Sequence, residues 1–159
     1  MKKIANIIML IILFGTTISC NGKKEEEWMK FHVNEDEIIY LKINESDSKY
    51  IAHWLISGKE DEMCAFGKIT FAGKYSELES SGQLILDCNI SSNEIKINDG
   101  RIISAPVDQN PQLKFDTNNN SLSFYGEVLS KEDNGSKKEL EEFLDKFEKW
   151  EGDYIPLKD

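Results

Sequence analysis

Histidine occurs only twice in this chain and cysteine three times, and that scarcity removes most residue-level signatures of catalysis and metal binding. His32 and His53 both sit in alternating stretches with no nucleophile motif beside them. There is no Gly-x-Ser-x-Gly, phosphate-binding loop, His-Glu-x-x-His or dinucleotide fingerprint. Two thiols without neighbouring histidines make a poor zinc site, and no Cys-x-x-Cys pair occurs. No cofactor, metal or catalytic residue is therefore expected. Basic residues are also few, 19 Lys and Arg against 29 Asp and Glu. A nucleic-acid binder needs a basic footprint, so that class of partner is excluded. Long apolar runs are absent too. The longest, 4–14, is interrupted by Asn6 and falls short of the roughly 20 residues of a spanning helix.

That short run nevertheless carries the strongest signal in the chain. Lys2 and Lys3 precede it, Gly15, Thr16 and Thr17 follow, and Ile18-Ser19-Cys20 ends the segment. This is the layout of a secretory signal peptide with a cysteine at the cleavage site. It resembles the signal peptide of bacterial lipoproteins, whose lipobox puts a small residue directly before an acylated cysteine. Ser19 fills that place, and Thr17 stands where leucine is usual. The resemblance implies that Cys20 takes a diacylglyceryl thioether, becomes the mature amino terminus and holds the protein on a membrane. Two or more acyl chains give stable anchoring without a spanning helix. Asn21 follows, where enteric lipoproteins of the inner membrane carry aspartate. Lys23-Lys24-Glu25-Glu26-Glu27 is similar to the surface-export signal of lipoproteins in the Bacteroidota, and equally to a charged, solvated tether. The expected location is the bacterial cell envelope, lipid-anchored in the outer membrane and facing either the periplasm or the surface.

Without residues 1–19 the chain keeps 17 basic and 29 acidic side chains, a net charge of −12. Such a surface favours solubility and steers cationic partners. With Cys20 lipidated, Cys64 and Cys88 remain. An oxidising compartment favours a bridge between them. Its loop of about 25 residues would contribute on the order of 3 kcal/mol.

After the tether the chain alternates apolar and polar residues almost throughout, with polar clusters at 34–37, 44–49 and 57–62. Strands are predicted near 28–33, 38–43, 50–56, 63–71, 83–90, 94–97, 101–104, 113–116 and 121–129. Asn98-Asp99-Gly100 reads as a tight hairpin turn. If 63–71 and 83–90 form a hairpin, Cys64 faces Cys88 across the ladder, with 73–82 as a long connection. Ser136 and Glu139 form a capping box. Leu140, Phe143, Leu144, Phe147 and Trp150 then make one helical stripe. The organisation is a signal peptide (1–19), a lipidated cysteine and charged tether (20–27), a β-barrel or sandwich (28–130), and a linker with a helix packed on the same domain (131–159). The fold class is all-β: about eight or nine antiparallel strands with one C-terminal amphipathic helix. This outline is similar to that of small lipocalin-like envelope lipoproteins. Trp28 resembles the tryptophan of the lipocalin Gly-x-Trp motif, with Glu26 in the glycine's place.

Asp116, Asn118, Asn120 and Glu127 have the spacing of calcium-loop ligands. Ser121 occupies the required glycine position and the flanks read as strands, so an Asn-rich hairpin turn explains the same residues. The aromatics Trp28, Tyr40, Trp54, Phe66, Phe71, Tyr75, Phe115, Phe124 and Tyr125 are candidates for core or cavity walls. Tyr40, Trp54 and Tyr125 are the foremost ligand-binding candidates. The expected function is non-enzymatic binding of a small apolar ligand or a protein partner. Two alternatives stand beside it: an inhibitor or immunity-type protein blocking a cationic enzyme, and a surface hydrolase using a carboxylate pair.

Overall fold

Period-two alternation becomes ten antiparallel strands in the computed structural model, which describes residues 27–78, 81–107, 113–132 and 137–157. They are β1 (Met29–Asn34), β2 (Glu37–Asn44), β3 (Lys49–Glu60), β4 (Met63–Leu78), β5 (Gln83–Leu86), β6 (Ile90–Ile97), β7 (Ile102–Ile103), β8 (Leu113–Asp116), β9 (Ser121–Phe124) and β10 (Glu127–Ser130). One helix follows, α1 (Lys137–Glu148). Sheet order is β1-β2-β3-β4-β5-β8-β9-β10, with β6 on β4 and β7 on β6. The Glu132 N–H donates to the Lys30 carbonyl at 3.0 Å, which brings the last strand back to the first. The sheet is thus a nearly closed barrel. All-β architecture with one late helix is as expected, and barrel replaces sandwich.

Alternation assigns the two faces. Phe31, Ile39, Leu41, Tyr50, Ala52, Ile69, Phe71, Leu84, Leu86, Leu113, Phe115, Leu122, Phe124 and Leu129 fill the interior. The opposite parity of β2, β3 and β4 presents Ile38, Tyr40, Leu55 and Phe66 outward, and α1 covers them with Leu140, Phe143 and Phe147. An outer sheet face is normally polar. Here the helical stripe buries it instead, so these central strands are apolar on both sides.

Ionic contacts fix the helix ends. Lys30 Nζ meets Glu139 Oε1 at 2.6 Å in the first turn. At the other end Lys96 Nζ donates to the carbonyls of Phe147 and Glu148 at 2.6 and 3.1 Å. Last-turn carbonyls lack donors four residues on; Phe147 accepts only a long bond from the Trp150 N–H at 3.4 Å besides the lysine, and a cation there also complements the helix dipole. Lys68 and Lys96 place their ammonium groups 4.7 and 4.5 Å from the Phe147 ring centre. The expected cap Ser136 lies outside the described residues.

Three expectations about pairing are corrected. β4 does not stop near residue 71 but continues through Gly73 to Leu78. β5 and β6 then both pair along its one free edge, with Tyr75 opposite Leu86 and Gly67 opposite Ile95. The Asp87 N–H donates to the Lys74 carbonyl and Ala72 N–H to the Asn89 carbonyl, so Cys88 lies opposite Gly73, nine residues from Cys64. Nine strand residues correspond to about 30 Å of extended chain, while a disulfide needs Cα atoms within about 7 Å. Cys64 and Cys88 are accordingly not joined in a disulfide. Gly73 tolerates this crossing because a Cβ there would lie 2.7 Å from the Asp87 carbonyl oxygen. The stretch 121–129 is two strands, not one. Tyr125 and Gly126 both take positive φ, 49° and 86°, the signature of a tight two-residue hairpin.

Candidate functional site

The hairpin turns lie at two poles. At one pole lie the β2–β3 turn (45–48), the β8–β9 turn (117–120), the chain entry at Glu27 and the chain exit at Lys131. Between them opens a cavity of about 750 Å³. Met29, Ile43, Tyr75, Leu84 and Phe115 make its apolar floor. Each is an inward residue of its strand, the last layer before the interior closes with Leu41, Phe71 and Leu86.

Polar groups form the rim: Glu27, Asn44, Glu45, Ser46, Glu77, Thr117, Asn120 and Lys131. Lys131 Nζ is 3.8 Å from Glu27 Oε1. No cation among the described residues pairs with Glu45 or Glu77. Three carboxylates against one ammonium leave the mouth negative, and low-dielectric walls concentrate such a field. The rim is held by its own hydrogen bonds. Thr117 N–H and Oγ1 both donate to the Gly82 carbonyl at 2.9 Å, and Asn118 Nδ2 donates to the Ser81 carbonyl at 3.0 Å.

This geometry answers the calcium spacing. Asp116 Oδ1 accepts the Asn118 and Asn119 N–H groups at 2.8 and 3.2 Å, and its Oδ2 accepts Asn119 Nδ2 at 2.9 Å. Desolvation opposes ionisation, but these bonds to Asn119 and Asn118 hold the carboxyl below its ordinary value. Glu127 pairs with Phe124 at the other end of the β9–β10 hairpin. The residues build a turn, and the four spaced positions do not converge. No group of three His, Cys, Asp or Glu side chains among the described residues could hold a metal ion.

The three foremost aromatics are not at the mouth. Tyr40 is fully buried under α1, its ring 6.5 Å from that of Phe143, where no ligand can reach. Trp54 and Tyr125 are brought together, but at the opposite pole: Trp54 stacks edge-on against Phe124 at 4.9 Å and lies 6.3 Å from Tyr125. Trp54 Nε1 donates to Glu37 Oε2 at 2.9 Å, so this group is a plug. Tyr75 and Phe115, named among the aromatics, are the two that line the cavity. Met29, Ile43 and Leu84 carried no distinguishing local signal. Their position became visible only through strand register.

Both histidines lie outside the mouth. His53 Nδ1 is 2.9 Å from Thr70 Oγ1 and its ring 5.4 Å from that of Trp28. Burial first, and Lys68 second, push its pKa down to about 4. His32 Nε2 sits 3.0 Å from Glu132 Oε2 at the β1–β10 seam. Cys20 lies outside the described residues. No helix among the described residues is long and apolar enough to cross a membrane. Compared with protein-family models, with curated proteins and with solved structures, the chain matches none of them.

Proposed function

We propose that this chain is a lipid-anchored binding protein of the bacterial envelope whose barrel mouth takes a small amphipathic ligand with a cationic head. The observation that carries the ligand class is the mouth itself. A cavity of about 750 Å³ with an apolar floor is ringed by Glu27, Glu45 and Glu77. Cavities of roughly 300–1,000 Å³ with few polar groups suit small molecules. Apolar surface below and negative charge above select a ligand with an apolar body and a positive end. The leader ending in Ser19-Cys20 supports the anchor and the compartment. The role is binding without catalysis.

Titration calorimetry of the mature chain with dodecylammonium and dodecyl sulfate, both below micelle concentration, tests the reading. Dodecylammonium should bind saturably and dodecyl sulfate should not. Glu45→Gln with Glu77→Gln should abolish that preference while leaving the fold intact by circular dichroism. Equal binding of the two amphiphiles, or none, would overturn the assignment. Tight binding of a lysine-rich enzyme at the same rim, without dodecylammonium binding, would favour the inhibitor reading instead. For the anchor, Cys20→Ala should stop palmitate labelling and release the protein from membranes.

A further inference from the structure

We infer that the anchor keeps the barrel mouth on the membrane side, so that the ligand is taken from the lipid surface and not from free solution. This rests on the lipoprotein reading of Cys20. Glu27 is both the first described residue and part of the mouth rim. Only residues 21–26 separate it from Cys20. Seven Cα steps reach about 25 Å at full extension, whatever their conformation.

The barrel is taller than that reach. β3 runs twelve residues, Lys49 to Glu60, from the β2–β3 turn beside the mouth to the opposite pole. Its eleven steps of 3.3 Å make about 36 Å of strand, or about 26–30 Å along a barrel axis to which strands tilt by 35–45°. With the far pole on the bilayer, the rim would stand beyond the reach of the tether. The mouth must therefore face the membrane or lie along it.

Charge and shape then specify the exchange. A cationic amphiphile concentrates at an anionic lipid surface with its head at the interface and its tail below. The rim carboxylates Glu45 and Glu77 meet the head where it already sits. The tail moves from one apolar medium to another, onto Met29, Ile43, Leu84 and Phe115. The head never has to enter apolar surroundings, which is the costly step for a charge. The predicted ligand is a membrane-partitioned single-chain amine.

The test uses the full lipidated chain on vesicles of anionic and zwitterionic lipid. A donor fluorophore is attached at Asp47→Cys, in the β2–β3 turn, or at Asp61→Cys, at the far pole, each with Cys64→Ala and Cys88→Ala. Transfer to a headgroup acceptor should be stronger from position 47 than from 61. Vesicles loaded with dodecylammonium should pass it to the anchored protein. Twenty Gly and Ser residues inserted after Gly22 should erase the difference in transfer and slow uptake about tenfold by lowering effective concentration. The same insertion should leave affinity for dodecylammonium in solution unchanged. Equal or reversed transfer from the two positions, or uptake indifferent to tether length, overturns the orientation while the anchor stands. If Cys20→Ala floats with the vesicles as the parent does, the anchor reading itself is wrong and the inference falls with it.

Discussion

Replacing Phe147 by alanine should detach α1 from the barrel and lower the stability of the whole domain. Phe147 is fully buried, edge-on to Phe66 at 5.6 Å. A buried Phe→Ala change costs about 3–5 kcal/mol, more where the site cannot collapse. Here one wall is sheet and cannot move toward the helix. Two ammonium groups, Lys68 and Lys96, also lose the ring they face, at about 0.5–1 kcal/mol each for partly exposed cations. A loss of at least about 4 kcal/mol, the lower end of that sum, is expected. With a urea m-value near 1.5 kcal/mol/M, the unfolding midpoint falls by about 2.5 M. The thermal midpoint falls by about 15 °C for a domain of this size. Phe147→Leu keeps most of the volume and should lose only about 1.5 kcal/mol. Lys96→Met keeps the stem but removes the bonds to the Phe147 and Glu148 carbonyls, a loss of about 1 kcal/mol. Urea titrations followed by both tryptophan fluorescence and far-ultraviolet circular dichroism check the series. A Phe147→Ala loss below about 1 kcal/mol, or fluorescence and far-ultraviolet transitions that fail to coincide in the parent chain, would refute the claim that helix and barrel form one cooperative unit.

Other consequences are as direct. His53 titrates near pH 4 in the fold and near 6.5 when unfolded. Its neutral form is favoured by folding, so this contribution is fully present above pH 6.5 and is lost as pH falls toward 4. His53→Gln should flatten that part of the stability profile, and an imidazole proton titrating near 6.5 in the folded protein would contradict the burial argument. Gly126 takes φ 86° with open space around its Cβ position. Gly126→Ala should therefore cost about 1 kcal/mol through backbone strain alone, and Gly126→Asn less; a neutral alanine would disprove the tight hairpin. Denaturing alkylation without reductant should modify both Cys64 and Cys88 in the Cys20→Ala chain. A protected pair would show that the β4–β5 register is wrong.

Much of this protein is written locally. Alternation of apolar and polar residues is a property of a few consecutive positions, so the strand segments and the stripe Leu140, Phe143, Leu144, Phe147 and Trp150 could be read directly. The leader and Cys20 are likewise linear signals, and they alone speak for the anchor. Pairing is different, because a strand's partner and register depend on residues far away in sequence. β4 was read as ending at Phe71, with 73–82 as a connection; it continues because β5 pairs along its far half, and the Asp87 carbonyl takes the space a side chain at Gly73 would fill. That one continuation moved Cys88 nine residues from its supposed partner. Parity could not say which apolar face was barrel and which lay under α1, so Tyr40 and Trp54 went to opposite sides of the sheet. Tertiary structure alone decided the mouth, where Glu27, Glu45, Glu77 and Lys131 meet from separate strand ends. Sequence determined where strands form, because backbone alternation is local; closure of the barrel determined the cavity, because a concave site exists only once distant ends converge.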